Sequence, residues 1–205
     1  MAVLMWAVIT SATIWTSFYF ILKQKYNLEA EWCCRFLTAI HAIIVTFLAA
    51  ISSYFLGPWP MTDPGGPNTE LHCIILITSL GYFIFDMIWC LYHQTEGMTM
   101  LIHHAISILA LGRILMKGVS GTEAVAGLLG LEITNPILQL RWFLRSAGYK
   151  GSILFTLVEL AFMIMFFVMR IIGGSYLYYC TVSHSRPDIE TKLLASAFYI
   201  LSWKM

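Results

Sequence analysis

The sequence predicts an all-α fold, a multi-pass transmembrane helical bundle of about 6–7 spans. Of its 205 residues, 59% are hydrophobic and only 11% are charged, and the mean hydropathy is +0.77. Soluble domains carry about 25% charged residues, so this chain has too few charges to cover a water-facing surface. Its apolar residues also gather in runs near the ~20 residues that a helix needs to cross the hydrocarbon core. The net charge of +1 is too small to indicate nucleic-acid binding.

Seven apolar stretches are candidate helices of this bundle. They cover residues 3–22, 35–56, 71–92, 99–116, 122–140, 151–172 and 193–205. The first lacks a basic n-region and is longer than the apolar core of a signal peptide, so we interpret it as a span. The seventh is short and ends with the chain, which favours a truncated span or a membrane-buried stub. We therefore divide the chain into an N-terminal span with the start of a loop, residues 1–29, and a membrane domain, residues 30–205.

The basic residues predict how the spans are oriented. Two loops, residues 23–35 and 141–150, each carry three Lys or Arg, whereas the Gly- and Pro-rich loop 57–68 carries none. The positive-inside rule places both basic loops in the cytosol. With seven spans, the N-terminus then lies outside or in the lumen and the C-terminus in the cytosol. We expect a multi-pass integral membrane protein of the endoplasmic reticulum or the plasma membrane.

Ionisable side chains inside spans are costly and are therefore candidates for function. The spans contain His41, Asp86, His103, His104, Glu132, Glu159 and Arg170. We interpret His41 as a satisfied core histidine, and Arg170, near a predicted span end, as a side chain that extends to the interface. Glu159 and Arg170 share a helix face without touching, so each needs a partner elsewhere.

Asp86 lies at the centre of its predicted span. Tyr82, Asp86, Trp89 and His93 are spaced so that they share one helix face. This polar stripe indicates either a carboxylate that faces a central cavity or an acid that a neighbouring helix neutralises for packing.

The pair His103-His104 lies near the start of the fourth span. Adjacent helix positions point about 100° apart, so only one of the two can face a cavity squarely. Imidazole is the usual general base near neutral pH. A satisfied polar pair near the membrane interface is the alternative interpretation.

Glu132 is followed four residues later by Pro136. Proline removes a backbone N–H and displaces the carbonyl of Glu132, so we expect the helix to kink at an acidic residue. Asn135 and Gln139 follow on the same face. An acidic, amide-lined face at a kink favours a hydrated cavity or a polar ligand site, and hydrogen bonding between helices around a kink is the alternative.

Known metal and cofactor motifs do not occur in this sequence. The five cysteines form no CxxC pair, which favours reduced cysteines that pack within the spans. The sequence also lacks HExxH, a GxSxG elbow and a Walker phosphate loop. We therefore expect no metal ion and no bound cofactor.

Four segments together resemble the TLC domain family of lipid-related, multi-pass membrane proteins. They are YFIFD at 82–86, HH at 103–104, LEITNP at 131–136 and RWFL at 141–144, and the resemblance covers residues 30–205. The family includes the ceramide synthases, which transfer a fatty acyl group from acyl-CoA to a sphingoid amine in the endoplasmic reticulum. The resemblance matches His103 and His104 to their His-His pair and puts Glu132 near their downstream acids. Leu131 stands in place of a histidine, and the second downstream acid has no counterpart.

Three functions remain open on these grounds. The first is a protein that handles or regulates membrane lipids, of sphingoid or phospholipid class, through a polar cavity lined by Asp86, His93, Asn135 and Gln139. The second is an acyltransferase with acyl-CoA as co-substrate, in which His103 or His104 acts as base or nucleophile and Glu132 or Asp86 orients it. The third is a structural membrane protein whose polar groups only join helices.

Overall fold

Eight helices run through residues 2–204, the part of the chain that the computed structural model describes. They are α1 (Ala2–Tyr26), α2 (Ala30–Leu56), α3 (Glu70–His93), α4 (Met98–Lys117), α5 (Gly121–Glu132), α6 (Asn135–Ser146), α7 (Ile153–Ser183) and α8 (Ile189–Ser202). The last turn of α2, Ile51–Leu56, and the segment Phe167–Gly173 inside α7 widen to π-helical hydrogen bonding.

Five of these helices, α1, α2, α3, α4 and α7, are long and apolar enough to cross a membrane. Large apolar side chains also cover much of the outer surface, among them Phe47, Leu157 and Ile164, each more than half exposed. Water would disfavour such a surface, whereas hydrocarbon accepts it. The prediction of an all-α, multi-pass membrane fold is confirmed.

The prediction of a single kinked helix over the fifth apolar stretch, residues 122–140, is wrong. The chain forms α5 and α6 instead, separated by Ile133 and Thr134, and Pro136 is the second residue of α6. Proline suits the first turn of a helix but not the interior, so the predicted kink becomes a complete break. Each piece has 12 residues, or about 18 Å at 1.5 Å per residue, so only the two together can cross. The predicted loop 141–150 is also helical as far as Ser146.

Contacts between loops divide the bundle into two ends. At one end, which we call the basic end, Arg35 lies 3.9 Å from Glu96 and 3.4 Å from Gln139. At the opposite end, which we call the loop end, the backbone N–H of Asn68 donates to Gly118 and Arg186 lies 3.3 Å from Asp63. Successive connections therefore alternate between the two ends, and α5 and α6 together make one crossing.

The helices α1 and α3 approach closely at a glycine. A Cβ on Gly81 would lie 2.6 Å from Ser11 Cβ and 2.7 Å from Ala12 N, so only glycine fits here. The indole of Trp15 donates to the carbonyl of Thr78 at 3.2 Å across the same interface. Small residues that let backbones approach are typical of helix packing in membranes.

Side-chain caps explain where three helices begin. Thr69 accepts from the backbone N–H of His72 while His72 Nδ1 accepts from that of Thr69, which forms a capping box at α3. Ser152 caps α7 through Phe155, and Asp188 caps α8 through Thr191. Each cap satisfies a backbone donor that the first turn leaves without a partner.

Candidate functional site

Asp86 and His104 are in direct contact in the core of the bundle. Asp86 Oδ2, on α3, lies 2.8 Å from His104 Nε2, on α4. The second carboxylate oxygen, Oδ1, accepts from the thiol of Cys34 on α2 at 3.3 Å. Both oxygens of this buried carboxylate are thus engaged, and three helices are joined around it. Of the two interpretations of Asp86, a carboxylate that faces a cavity or an acid with a partner on a neighbouring helix, the contact with His104 matches the second.

Cys90, one turn after Asp86 on α3, completes a group with the donor types of a metal site. Ligand atoms of Asp86, Cys90 and His104 lie within 4.8 Å of one another, and all three residues are buried. Carboxylate, thiolate and imidazole are ligands that zinc accepts. The short Asp86–His104 contact means that these two side chains would have to separate to admit an ion.

A second buried pair joins α2 to the end of α5. His41 Nδ1 lies 3.6 Å from Glu132 Oε2, and the same oxygen accepts from Asn135 Nδ2 at 2.8 Å. The His41 ring stacks on Tyr82, with centroids 3.9 Å apart, and the Tyr82 hydroxyl donates to Thr38 Oγ1 at 2.8 Å. His41 is buried as expected, and although neither ring nitrogen makes a hydrogen bond within residues 2–204, Nδ1 lies within ion-pair distance of Glu132.

The break between α5 and α6 frees a backbone carbonyl that Arg170 contacts. Leu131 O accepts from Arg170 Nη2 at 2.8 Å and from Thr134 Oγ1 at 3.1 Å, and Arg170 Nη2 also donates to Thr134 Oγ1 at 3.2 Å. The prediction that Arg170 extends to the interface is wrong. Because α7 continues to Ser183, Arg170 lies within the helix rather than near its end, and it is 9% exposed.

A cavity of about 340 Å³ lies beside these pairs, between α4, α5, α7 and α8. Apolar groups form most of its wall, including Leu111, Gly127 and Leu194. Within the described range, Glu123 and Arg170 are the only charged residues that line it. The Glu123 carboxylate accepts from the backbone N–H of Gly65 at 3.0 Å. Small-molecule sites have this character, an apolar wall of ~300–1,000 Å³ with few polar groups.

The residues predicted to form the site do not line this cavity. His103, His104, Glu132, Asp86, His93, Asn135 and Gln139 are all absent from its wall. The histidine pair lies one side chain away from the cavity, because His103 contacts Phe83 and Phe198 and His104 contacts Phe83, and both phenylalanines line the cavity. This cavity is apolar, and the polar pairs lie outside its wall.

The remaining predicted residues lie toward the basic end. The ring of His93 packs on Trp89 with centroids 4.4 Å apart, at the last residue of α3. Gln139 Oε1 accepts from Arg35 at 3.4 Å. Glu132 does not meet the histidine pair, since no carboxylate oxygen other than those of Asp86 lies within 4 Å of His103 or His104 in the described range. Of the two candidate orienting acids, Asp86 is the one in contact.

Burial affects one acid at the basic end. Desolvation raises the pKa of the Glu96 carboxyl, and the guanidinium of Arg35 acts in the opposite direction. Arg35 is itself held over the Trp142 ring, 4.8 Å from its centroid. Glu96 therefore keeps its proton to a higher pH than a glutamate in water does.

Three contributors to the site were assigned other roles from the sequence. Cys34 was interpreted as a packing residue, His41 as a core residue and Arg170 as an interfacial one, yet each contacts or lines the site. The signal that could have found two of them is the rule that intramembrane ionisable groups need partners. That rule requires partners for His41 and Arg170, but helical spacing does not say which ones.

Comparison with known proteins connects this architecture to a family. A family model described as the TLC domain matches residues 11–204. TLC domain-containing protein 4 A of Dictyostelium discoideum is 27% identical over 152 residues, 73% of this chain and 58% of that protein. A TLC domain-containing protein of Acanthamoeba polyphaga mimivirus is 31% identical over 118 residues, 57% of this chain and 58% of that protein.

A vertebrate relative covers more of the chain at lower identity. TLC domain-containing protein 1 of Gallus gallus is 24% identical over 174 residues, 83% of this chain and 68% of that protein. The chain thus spans a little more than half the length of the first two relatives.

Proposed function

Because this chain belongs to the TLC domain family, whose model matches residues 11–204, we propose that it handles a membrane lipid and thereby regulates membrane lipid composition or trafficking. The observation that carries this proposal is the apolar cavity of about 340 Å³ inside the helical bundle. An acyl chain is stabilised wherever apolar walls can contact it on all sides. The cavity wall also offers a cation, Arg170, for the polar end of such a molecule.

Glycine positions allow a direct test of the cavity. Gly127 lines the cavity, and a Cβ there would meet no atom within 4 Å. Gly112 on α4 is equally open but lies outside the cavity wall. We expect Gly127→Phe to fill the cavity and to reduce the amount of lipid that copurifies with the protein, whereas Gly112→Phe leaves it unchanged.

The measurement is mass spectrometry of lipids extracted from purified full-length protein at matched yield. Equal retention of the same lipid species by wild type, Gly127→Phe and Gly112→Phe would show that the cavity does not hold the lipid. A specific loss in Gly127→Phe identifies the lipid class directly.

Acyl transfer is the second candidate function, and the contact between Asp86 and His104 favours it. A carboxylate that binds one imidazole nitrogen orients the ring and stabilises its cation. His104 or His103 would take the proton of a substrate amine or hydroxyl as this group attacks the thioester of acyl-CoA and the CoA thiolate leaves. His103 contacts two rings of the cavity wall, Phe83 and Phe198, and His104 contacts Phe83.

A lipid comparison separates the two functions. In cells that lack the protein, we expect wild type and a His93→Ala control to restore an N-acylated or O-acylated lipid class if the protein is an acyltransferase. The variant His103→Ala/His104→Ala, at equal abundance, then fails to restore it. Full rescue by the double variant rules out histidine-dependent chemistry and leaves lipid binding in place.

A further inference from the structure

We infer that Arg170 binds an anionic headgroup, so that the ligand of the cavity is a single-chain or double-chain amphiphile that carries a carboxylate or a phosphate. This inference rests on the proposed lipid-binding function and gives that function a ligand class. Its starting point is a guanidinium in the wall of an apolar cavity, in a helix that crosses the membrane.

Arg170 is held rigidly at this position. It is 9% exposed and belongs to the π-helical segment Phe167–Gly173, a local widening that often occurs at functional sites. Nη2 is fixed by Leu131 O and Thr134 Oγ1, and the Phe166 ring lies 5.0 Å from the guanidinium carbon. These contacts orient the guanidinium group before any ligand binds.

Some N–H groups of the Arg170 guanidinium have no hydrogen-bond acceptor. It has five N–H groups, and within residues 2–204 only Nη2 makes hydrogen bonds. Nε is buried and makes none, and Nη1, which is not buried, also makes none. An aromatic ring attracts the cation but does not replace a hydrogen-bond acceptor for each N–H. A carboxylate or phosphate would accept from two guanidinium nitrogens at once.

The charge also lacks a directly bound counter-ion. In the described part of the chain, no carboxylate oxygen lies within 4 Å of Arg170. The two acids of this region are engaged elsewhere, Glu132 with Asn135 and His41, and Glu123 with the amide of Gly65. A buried charge without a bound partner is unfavourable in a low-dielectric interior, so an anion that reaches Arg170 gains a strong, desolvated contact.

A headgroup comparison tests the inference on wild-type protein. The probes share one sixteen-carbon chain, about the length of a common membrane acyl chain, and are hexadecanoate, hexadecyl phosphate and hexadecanol. Each is added to purified full chain in neutral detergent at neutral pH. Because charge-assisted hydrogen bonds contribute about 1.5–3 kcal/mol, we expect at least one anion to bind about 10- to 100-fold more tightly than the alcohol. The tighter of the two anions distinguishes a carboxylate ligand from a phosphate ligand.

Two outcomes would overturn the inference in different ways. If the alcohol binds as tightly as both anions, the anionic headgroup is wrong but the lipid cavity stands. If none of the three probes binds, the proposed lipid-binding function fails as well.

Variants locate the contact. Arg170→Gln removes the charge and keeps an amide that can donate to Leu131 O, so we expect it to lose the preference for anions and to keep its affinity for hexadecanol. Arg141→Gln is the control, because Arg141 lies on α6 outside the cavity wall and pairs with Glu159 at 2.7 Å. Anion preference that survives in Arg170→Gln overturns the assignment. Arg170→Lys, which keeps the charge, provides a second variant if Arg170→Gln does not fold.

Discussion

At the scale of single residues, four ionisable groups inside this bundle form two pairs contributed by different helices. Asp86 pairs with His104, and Glu132 lies within ion-pair distance of His41. Taking a lone charge into a low-dielectric interior is unfavourable, and a nearby opposite charge or hydrogen bond offsets much of that penalty. Each pair therefore constrains which helices lie side by side, whatever further role its members have.

The contact between Asp86 and His104 predicts strong coupling in a double-mutant cycle. Removing one member of a buried pair costs about 3–5 kcal/mol because the other is left without its partner. We expect Asp86→Asn and His104→Gln each to lower the melting temperature of the purified protein, and the double variant to lower it by much less than the sum. A cycle between Asp86→Asn and His103→Gln serves as the control and should be nearly additive. Additivity in the first cycle would contradict the contact.

At the scale of helices, close approach depends on small residues and on breaks in regular structure. The α1–α3 interface is closest at Gly81, next to Ser11. The break between α5 and α6 exposes the carbonyl of Leu131 to the guanidinium of Arg170. At Gly81 the missing side chain lets two helix backbones approach, and at the break the missing helical hydrogen bond leaves a carbonyl free for another helix.

Gly81→Ala is expected to destabilise the protein, although alanine normally favours a helix. The added Cβ would meet the backbone N of Ala12 at 2.7 Å, and overpacking of this kind costs about 1–3 kcal/mol. Gly112→Ala is the matched control because a Cβ there meets nothing within 4 Å, and removing a helix-interior glycine gains up to about 1 kcal/mol. Thermal unfolding in detergent measures both. A Gly81→Ala variant as stable as Gly112→Ala would contradict the close approach.

Helix α8 is attached to α4 by ion pairs at the loop end. Lys117 contacts Asp188, and Arg113 contacts Glu190. The hydrogen bond from Lys117 holds the pKa of the Asp188 carboxyl well below its usual 3.8. The hydrogen bond from Arg113 lowers the pKa of Glu190 in the same way.

These lowered pKa values predict that acid weakens the attachment of α8. A carboxyl whose pKa is lower in the folded state stabilises the fold above its unfolded pKa, and the contribution is lost as the pH falls from there toward the folded pKa. We expect the melting temperature to be unaffected by these two groups above about pH 5 and to fall as the pH drops below that value. Asp188→Asn keeps a good N-cap residue and removes the charge, so its acid-induced loss should be smaller. An equal loss in variant and wild type would argue against this ion pair.

At the scale of the whole molecule, the two ends of the bundle differ in charge balance. At the loop end, Lys117 pairs with Asp188 and Arg186 pairs with Asp63. At the basic end, Lys23, Lys25 and Lys150 lie on or beside the turns without a carboxylate within 4 Å in the described range. Residues 23–35 and 141–150 carry six Lys or Arg between them, and this number favours the proposal that the basic end faces the cytosol.

Cysteine labelling tests that orientation. Thr62, in the loop end, and Lys150, at the basic end, are both exposed. We expect a membrane-impermeant maleimide to label Lys150→Cys from the cytosolic side and Thr62→Cys only from the opposite side. Wild type, whose cysteines are buried or half-buried, gives the background. The reverse pattern would invert the proposed topology.

Much of this architecture follows from the sequence alone. Hydropathy and run length determine that the chain is a membrane helix bundle and where its long spans lie, because hydrocarbon requires continuous apolar helices with internally satisfied backbones. The polar residues of the site were also evident, since Asp86, His104 and Glu132 are conspicuous within apolar runs. The family resemblance, carried by short segments at 82–86, 103–104 and 131–136, pointed to the family whose model matches residues 11–204.

Only the tertiary structure decided which polar groups meet and where the cavity lies. Helical spacing describes one face of one helix, whereas the Asp86–His104 and His41–Glu132 contacts depend on how separate helices pack. The same limit explains why the burial of Arg170 was not predicted, because this burial depends on the length of α7 and on the break after α5. A cavity is a volume that several helices leave unfilled, and no periodicity within a single helix encodes it.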